Sequence, residues 1–479
     1  MRFCPYCERQ IEDDWSYCRY CNKPLITSID FGLSRKAKQK PDGHSFNYMD
    51  YEEEEKNFEI NLIDDEGLKQ QLLDIENELK EKEMLGEPVG DLLINKASLY
   101  YKQRDLERAL KNLEMALSNF KSEENDLKIA ICHNEIGLIQ EESGFFEQAI
   151  YHFERTLEIL NQLKDFHKVV QVLNNLGNIY LQIKDIEHSY EAYQDALNIA
   201  EREELEFEAI KSASNLVETL FDLRDYDRIK KILLNNINYF EEKNDIYGMI
   251  QTLVKYGKLY YLLGKDNYEM SYQKLQQALT LIDKIKDKTS IYTIAHLEWE
   301  CYLYLGLLAI TWDNDIEAEN LFLKSLEAIR TFEFRDNIKE GIVLENLAKL
   351  YTLKGEDQKA IDYFKVTLEI YEKFGDKSKI AEIKHNIGKI FYDFLQDQTK
   401  SVQYLEEALE IYEDLNYMKQ AAIINSFLGD IYQKSEKLDL AQSFYTRAKN
   451  HYDELQDEYN SAILEKKLKN LNQNEESSY

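Results

Sequence analysis

The chain has 479 residues, too many for one compact core, so several domains or a repeat array are expected. Its 90 acidic residues outnumber 59 basic ones, for a formal charge of −31 and a pI near 4.8. That balance argues against general binding of nucleic acid or of an anionic membrane, and suits basic or neutral partners met locally.

In chain order, residues 1–26 come first, and they have a metal-binding logic. "CPYC" and "CRYC" supply Cys4, Cys7, Cys18 and Cys21 in a C-x2-C-x10-C-x2-C arrangement. Two knuckles of that spacing can present four thiolates tetrahedrally to one ion. The start, "MRFCPYCERQ", has no apolar run of the secretory kind. Disulfides are therefore the weaker alternative, because the cytosol keeps thiols reduced. Zinc fits better than iron, although four cysteines alone do not exclude iron. With all four positions filled by protein, the expected zinc is structural and leaves no open site for catalysis. The stretch resembles the short zinc-ribbon modules that precede many prokaryotic proteins, with Pro5 after the first cysteine. Its basic residues (Arg2, Arg9, Arg19, Lys23) are matched by as many acidic ones (Glu8, Glu12, Asp13, Asp14). Phe3, Tyr6, Trp15, Tyr17 and Tyr20 are most of the core so small a module can have.

Residues 27–59 switch from basic (Arg35, Lys36, Lys38, Lys40) to acidic (Asp50, Glu52 to Glu55), with Pro41 and Gly43 between. Such blocks read as flexible chain. A sharper reading lays "FNYMDYEEEE" in a lysine-bearing groove as an internal block. Residues 60–87, opening "INLIDDEGLKQQLLDIENELKEKEML", read as a lead-in helix.

The prolines are Pro5, Pro24, Pro41 and Pro88, so residues 89 to 479 contain no helix breaker of that kind. That predicts an all-α region. Within it a small or medium residue recurs at Ala97, Gly137, Gly177, Val217, Gly257, Gly306, Ala348, Gly388 and Gly429. About twelve residues after each comes Ala109, Ala149, Ser189, Ile229, Ser271, Ala318, Ala360, Ser401 or Ala441. Four further on sits a large apolar group, Leu113, Phe153, Tyr193, Leu233, Leu275, Phe322, Phe364, Leu405 or Tyr445. The period is 40 to 42 residues except for 49 between Gly257 and Gly306. Each unit thus predicts two amphipathic helices that cross closely at small residues, with large ones filling the space beside the crossing. One such hairpin cannot bury its own apolar face, so neighbours must stack. The most apolar stretch, "CYLYLGLLAITW" from Cys301, follows Glu298 and Glu300 and is short for a membrane span. It reads as a buried helix. Cys132 and Cys301, third in their repeats, read as buried core residues.

"NLGNIY" and "ENLAKLYTLKGEDQKAIDYFKVTLEIY" resemble tetratricopeptide repeats, whose outline is Leu-Gly-x2-Tyr followed by Ala-x3-Phe. The consensus proline is absent and the period is near 40. That is similar to the longer-helix subclass of Pins-type adaptors, kinesin light chains and bacterial peptide-sensing regulators. The resemblance covers nine repeats within residues 88–454, with residues 455–479 as a capping helix and tail. It implies a right-handed α-solenoid superhelix behind the zinc ribbon, binding a protein or peptide segment in its concave groove.

In that family the groove is lined by positions 2, 6, 9 and 13 of the first helix, when the first small residue is position 8. Position 6 is asparagine at Asn95, Asn175, Asn215, Asn346 and Asn386, and position 9 is Asn178, Lys258, Lys349 or Lys389 in four repeats. An amide offers two donors and an acceptor to an extended backbone, and a lysine can hold an acidic group. These nine residues are the expected partner-binding set; a structural role between repeats is the competing reading.

No phosphate loop, His-Glu-x-x-His pair or nucleophile elbow occurs, and the scattered acidic residues read as solvated faces. The sequence therefore predicts a non-catalytic cytoplasmic adaptor without membrane insertion. The alternative is a regulator whose zinc ribbon contacts nucleic acid or transcription machinery while the solenoid senses a peptide.

Overall fold

The computed structural model describes residues 2–3, 10–11, 66–332 and 338–476. Cys4, Cys7, Cys18 and Cys21, the segment 27–59 and residues 60–65 lie outside the described residues. Strands β1 (Arg2–Phe3) and β2 (Gln10–Ile11) pair antiparallel, with Arg2 opposite Ile11, and bracket the first cysteine pair in sequence.

Two compact units divide the chain, residues 1–252 and 253–479. Unit one contains α1 (Glu66–Leu85), α2 (Gly90–Lys102) and α3 (Leu106–Ser122), then α4 (Asp126–Glu142) and α5 (Phe146–Leu163). It continues with α6 (Phe166–Gln182) and α7 (Ile186–Arg202), then α8 (Glu206–Asp222) and α9 (Tyr226–Glu242). The unit boundary falls inside α10 (Ile246–Leu262), which is followed by α11 (Tyr268–Ile285). Unit two then holds α12 (Ile291–Thr311) and α13 (Asp315–Phe332), α14 (Ile338–Leu353) and α15 (Asp357–Phe374), and α16 (Lys377–Asp393) and α17 (Gln398–Asp414). Helices α18 (Met418–Lys434), α19 (Leu438–Glu454) and α20 (Glu458–Glu476) complete it. From α2 onward even-numbered helices are the first, or A, helix of a hairpin and odd-numbered ones the second, or B, helix.

The hairpin turns repeat one device. Arg104, Lys184 and Arg224 adopt left-handed backbone with φ of 61°, 64° and 57°. Each is followed by an aspartate, Asp105, Asp185 or Asp225, whose carboxylate accepts the N–H three residues on. The cap contributes about 1 kcal/mol and offsets most of the left-handed cost.

The small-to-large register behaves as the crossing argument requires. All nine residues of the second small set are 0% exposed, and the large set never exceeds 3%. A Cβ placed on Gly177 would stand 2.5 Å from the Tyr193 ring, and one on Gly429 would stand 2.5 Å from Tyr445. The large B-helix side chain therefore occupies the space a side chain on the A helix would need. Ser189 adds a polar stitch at the crossing, donating to the Gly177 carbonyl at 3.0 Å.

The long interval before Gly306 has a local cause. A 3-10 turn precedes α11, another follows it at Lys286–Lys288, and α12 extends to 21 residues. Cys301, Leu303, Leu305 and Leu308 of α12 are buried, so its apolar stretch is core. No helix among the described residues is long and apolar enough to cross a membrane. At the C-terminus, α20 buries Leu464 and Leu471 against Tyr445 and Tyr452 and so covers the last hairpin. Near the N-terminus, α1 buries Leu72 and Leu79 in the cluster that includes Leu93 and Tyr100.

Candidate partner-binding face

The asparagines and lysines singled out by register all fall on A helices, but they meet different surroundings. In unit one, Asn95 on α2 is exposed, whereas Asn175 on α6 is only 3% exposed. Asn178 accepts the Tyr193 hydroxyl at 2.6 Å. Asn215 on α8 donates to the Oδ1 of Asn174 at 2.9 Å. Asn174 is itself 1% exposed and donates to the Val170 carbonyl at 2.9 Å and to Ser212 Oγ at 2.8 Å. A second link joins Asn236 of α9 to Ser214 of α8 at 2.7 Å. Amides that would weaken an isolated helix are here spent on bonds between neighbouring helices, where leaving them unpaired would be costly.

Unit two differs. Lys258 on α10 is half-buried. Asn346 on α14 is half-buried and donates back to the Ile342 carbonyl at 2.8 Å. Lys349 lies between Glu345, at 2.5 Å, and Glu382 of α16, at 3.1 Å. Lys379 reaches the same two carboxylates at 3.2 and 2.8 Å, and the Tyr371 hydroxyl donates to Glu345 at 3.1 Å. This alternating network joins α14, α15 and α16. Burial works against the charge of Lys349, yet Glu345 and Glu382 hold its pKa above the ordinary lysine value. Burial likewise disfavours ionised Glu382, but Lys379 and Lys349 overcome it and hold the carboxyl down at about 2.

The network occupies Lys349 and leaves its neighbours open. Asn386, four residues after Glu382 and on the same face of α16, is half-buried and has no hydrogen bond to a described residue. Lys389, three residues further, is exposed and has no ion pair among the described residues. Burial, and then the charge of Lys389, push the His385 pKa down to about 4, so its imidazole is neutral at neutral pH. Asn346, His385, Asn386 and Lys389 thus offer amides, an imidazole and one cation with no carboxylate committed to them.

Two features depart from the sequence reading, the buried acidic residues and a histidine pair, while the two solenoid cysteines are buried as expected. Acidic residues expected on solvated faces include buried Glu135, Glu340 and Glu345, at 5%, 2% and 4% exposure. Glu135 and Glu345 stand on A helices that abut neighbours on both sides. Cys132 and Cys301 are both 0% exposed. Finally, His133 and His152, nineteen positions apart, meet with Nδ1 atoms 2.9 Å apart across the α4–α5 crossing. The signal for the inter-helix bonds was present in the sequence as separation. Asn174–Asn215, Lys349–Glu382 and Glu345–Lys379 lie 41, 33 and 34 positions apart, near one repeat length.

The sequence profile described as tetratricopeptide repeat matches residues 89–162, 144–202 and 302–373. Residues 89–202 and 302–373 carry tetratricopeptide repeats. A second profile, described as soluble NSF attachment protein, SNAP, matches residues 342–479, which include the face on α14 and α16. Repeats of these two families mark the chain as a protein-interaction scaffold. No curated protein matches the sequence. Among solved structures, a STAND signal-transduction ATPase with a tetratricopeptide repeat sensor from Pyrococcus horikoshii is 15% identical, with a TM-score of 0.44. That match covers 90% of this chain and 66% of the other. The apo quorum sensor NprR from B. thuringiensis is 12% identical over 84% of this chain and 99% of its own, also with a TM-score of 0.44. BtubC (BKLC) from P. vanneervenii is 18% identical over 48% of this chain and 92% of its own, with a TM-score of 0.30.

Proposed function

We propose that the chain is a non-catalytic cytoplasmic adaptor that grips an extended protein or peptide segment across α14 and α16. The observation that carries this reading is the open amide of Asn386 beside the unpaired Lys389, on a face held rigid by the Glu345–Lys349–Lys379–Glu382 network. The amide matches one peptide unit of an extended backbone, and Lys389 suits an acidic side chain or terminal carboxylate of the partner. Asn346 and the neutral His385 extend the polar line. Asn95 is the corresponding open amide of unit one. Asn175, Asn178, Asn215 and Lys349 support the scaffold in this reading, and Lys258 belongs with the half-buried residues.

The N-terminal module is the adaptor's second contact in this proposal. Cys4, Cys7, Cys18 and Cys21 are a donor set that fits one structural zinc ion, because four thiolates complete a tetrahedron. When bound, the ion closes the module and contributes no reaction.

The test is affinity recovery from native lysate with the intact chain and with Asn386→Ala combined with Lys389→Ala. A protein enriched by the intact chain and lost from the double variant supports the reading. Equal recovery by both, or nucleic acid alone, overturns it and directs attention to the cysteine module.

A further inference from the structure

A different part of unit two carries an apolar cluster that the A-helix face does not use. It lies where the hairpin turns of α10–α11 and α12–α13 come to one edge. Trp312, the C-cap residue of α12, is 46% exposed and stands edge-on to Tyr272 of α11, ring centroids 5.7 Å apart. Across the turn, Ile316 in the first turn of α13 is 83% exposed. The turn is firmly held: the Asp313 N–H donates to the Ile310 carbonyl at 3.1 Å and the Asn314 N–H to the Ala309 carbonyl at 2.9 Å. Single exposed apolar residues are ordinary, but a tryptophan, a tyrosine and an isoleucine on one fixed frame resemble an interface anchor.

Carboxylates surround that cluster. Glu269 lies one turn before Tyr272 on α11, and Asp313, Asp315 and Glu317 flank Trp312 and Ile316. None of the four forms an ion pair among the described residues. The turn of the next hairpin, α14–α15, shows the contrast: Lys354 bridges Glu356 to Glu319, which lies one turn past Ile316 along α13, and Lys359 also pairs with Glu356. Charge that is neutralised internally at one turn is left uncompensated at the other.

We propose that this turn edge docks a partner helix whose apolar stripe is flanked by lysine or arginine. Such a helix would bury its stripe on Tyr272, Trp312 and Ile316 while its cations answer the carboxylates, giving both anchor and register.

A chain of charge −31 attracts any cationic peptide, so the test must separate anchoring from generic attraction. The probe is a dye-labelled synthetic Leu/Lys helix with one leucine stripe, titrated against the intact chain and read by anisotropy and tryptophan emission. The decisive variant is Ile316→Glu, which removes an anchor and adds a negative charge at a surface position. Generic attraction predicts unchanged or tighter binding; the docking edge predicts binding weakened about tenfold or more. Trp312→Ala should weaken binding as well, and a scrambled peptide of the same composition should bind about tenfold less tightly. Equal binding by Ile316→Glu, or by the scrambled peptide, overturns the proposal. So does a concentration-dependent dimer that Ile316→Glu abolishes, because the edge would then be covered by a second copy.

Discussion

Helices α6 and α8 in unit one and α14 and α16 in unit two are A helices of successive hairpins, yet they are joined by different chemistry. In the first pair, neutral amides and a hydroxyl make the link, with Asn174 bonded to both Ser212 and Asn215. In the second, two lysines and two carboxylates make it, and the amide of Asn386 is left over. What a polar residue does at a given register is therefore decided by the residue about one repeat away. An asparagine opposite a serine or another asparagine becomes structure; one beside a completed ion network stays available.

The sharpest way to break that contrast is to remove the buried amide. Asn174→Ala should destabilise unit one by about 3 kcal/mol, because Ser212 and Asn215 lose their partner while Asn174's own carbonyl bond also goes. Protection of α6 and α8 in hydrogen exchange reports it, and partner recovery should survive under conditions where the chain is folded. In unit two, Glu345→Gln should cost about 2 kcal/mol, below the full penalty for a buried pair because Lys349 and Lys379 keep 42% and 36% side-chain exposure. A loss confined to unit one in both variants would contradict the assignment of charges as the link in unit two.

Acidification offers a weaker lever on unit two. Folded His385 takes its proton near pH 4 while the unfolded chain takes it near 6.5. Between those values the unfolded state binds the proton first, so stability falls as pH falls through that window. His385→Gln should reduce the acid loss between pH 7 and 4.5 on the order of 1 kcal/mol, read from urea unfolding at the two pH values. An unchanged loss would show that the imidazole is not held neutral.

Much of the fold was legible because the crossing register is local. Ala109, Tyr193 and Gly429 announce their positions through spacing alone, and all are buried at crossings. The left-handed turn residues were less visible, since Arg104 and Lys184 carry no glycine signature and are recognisable only by the aspartate that follows. The candidate face was half legible. Register selected Asn215 and Asn386 equally, because it does not say what stands on the neighbouring helix. Glu345 escaped notice for the same reason: its burial depends on Lys379 and Tyr371, which are distant in sequence. The four cysteines remain a reading of spacing and donor chemistry.

The measurement that tests the central claim most directly is a matched pair of substitutions at one register, Asn215→Ala and Asn386→Ala, followed by amide hydrogen exchange. Asn215→Ala should lower protection in α6 and α8 by about 1–2 kcal/mol, because the buried Asn174 oxygen loses its donor. Asn386→Ala should leave α16 within about 0.5 kcal/mol of the parent, having no internal partner to lose. Equal losses at both sites would contradict the division of labour between the two units.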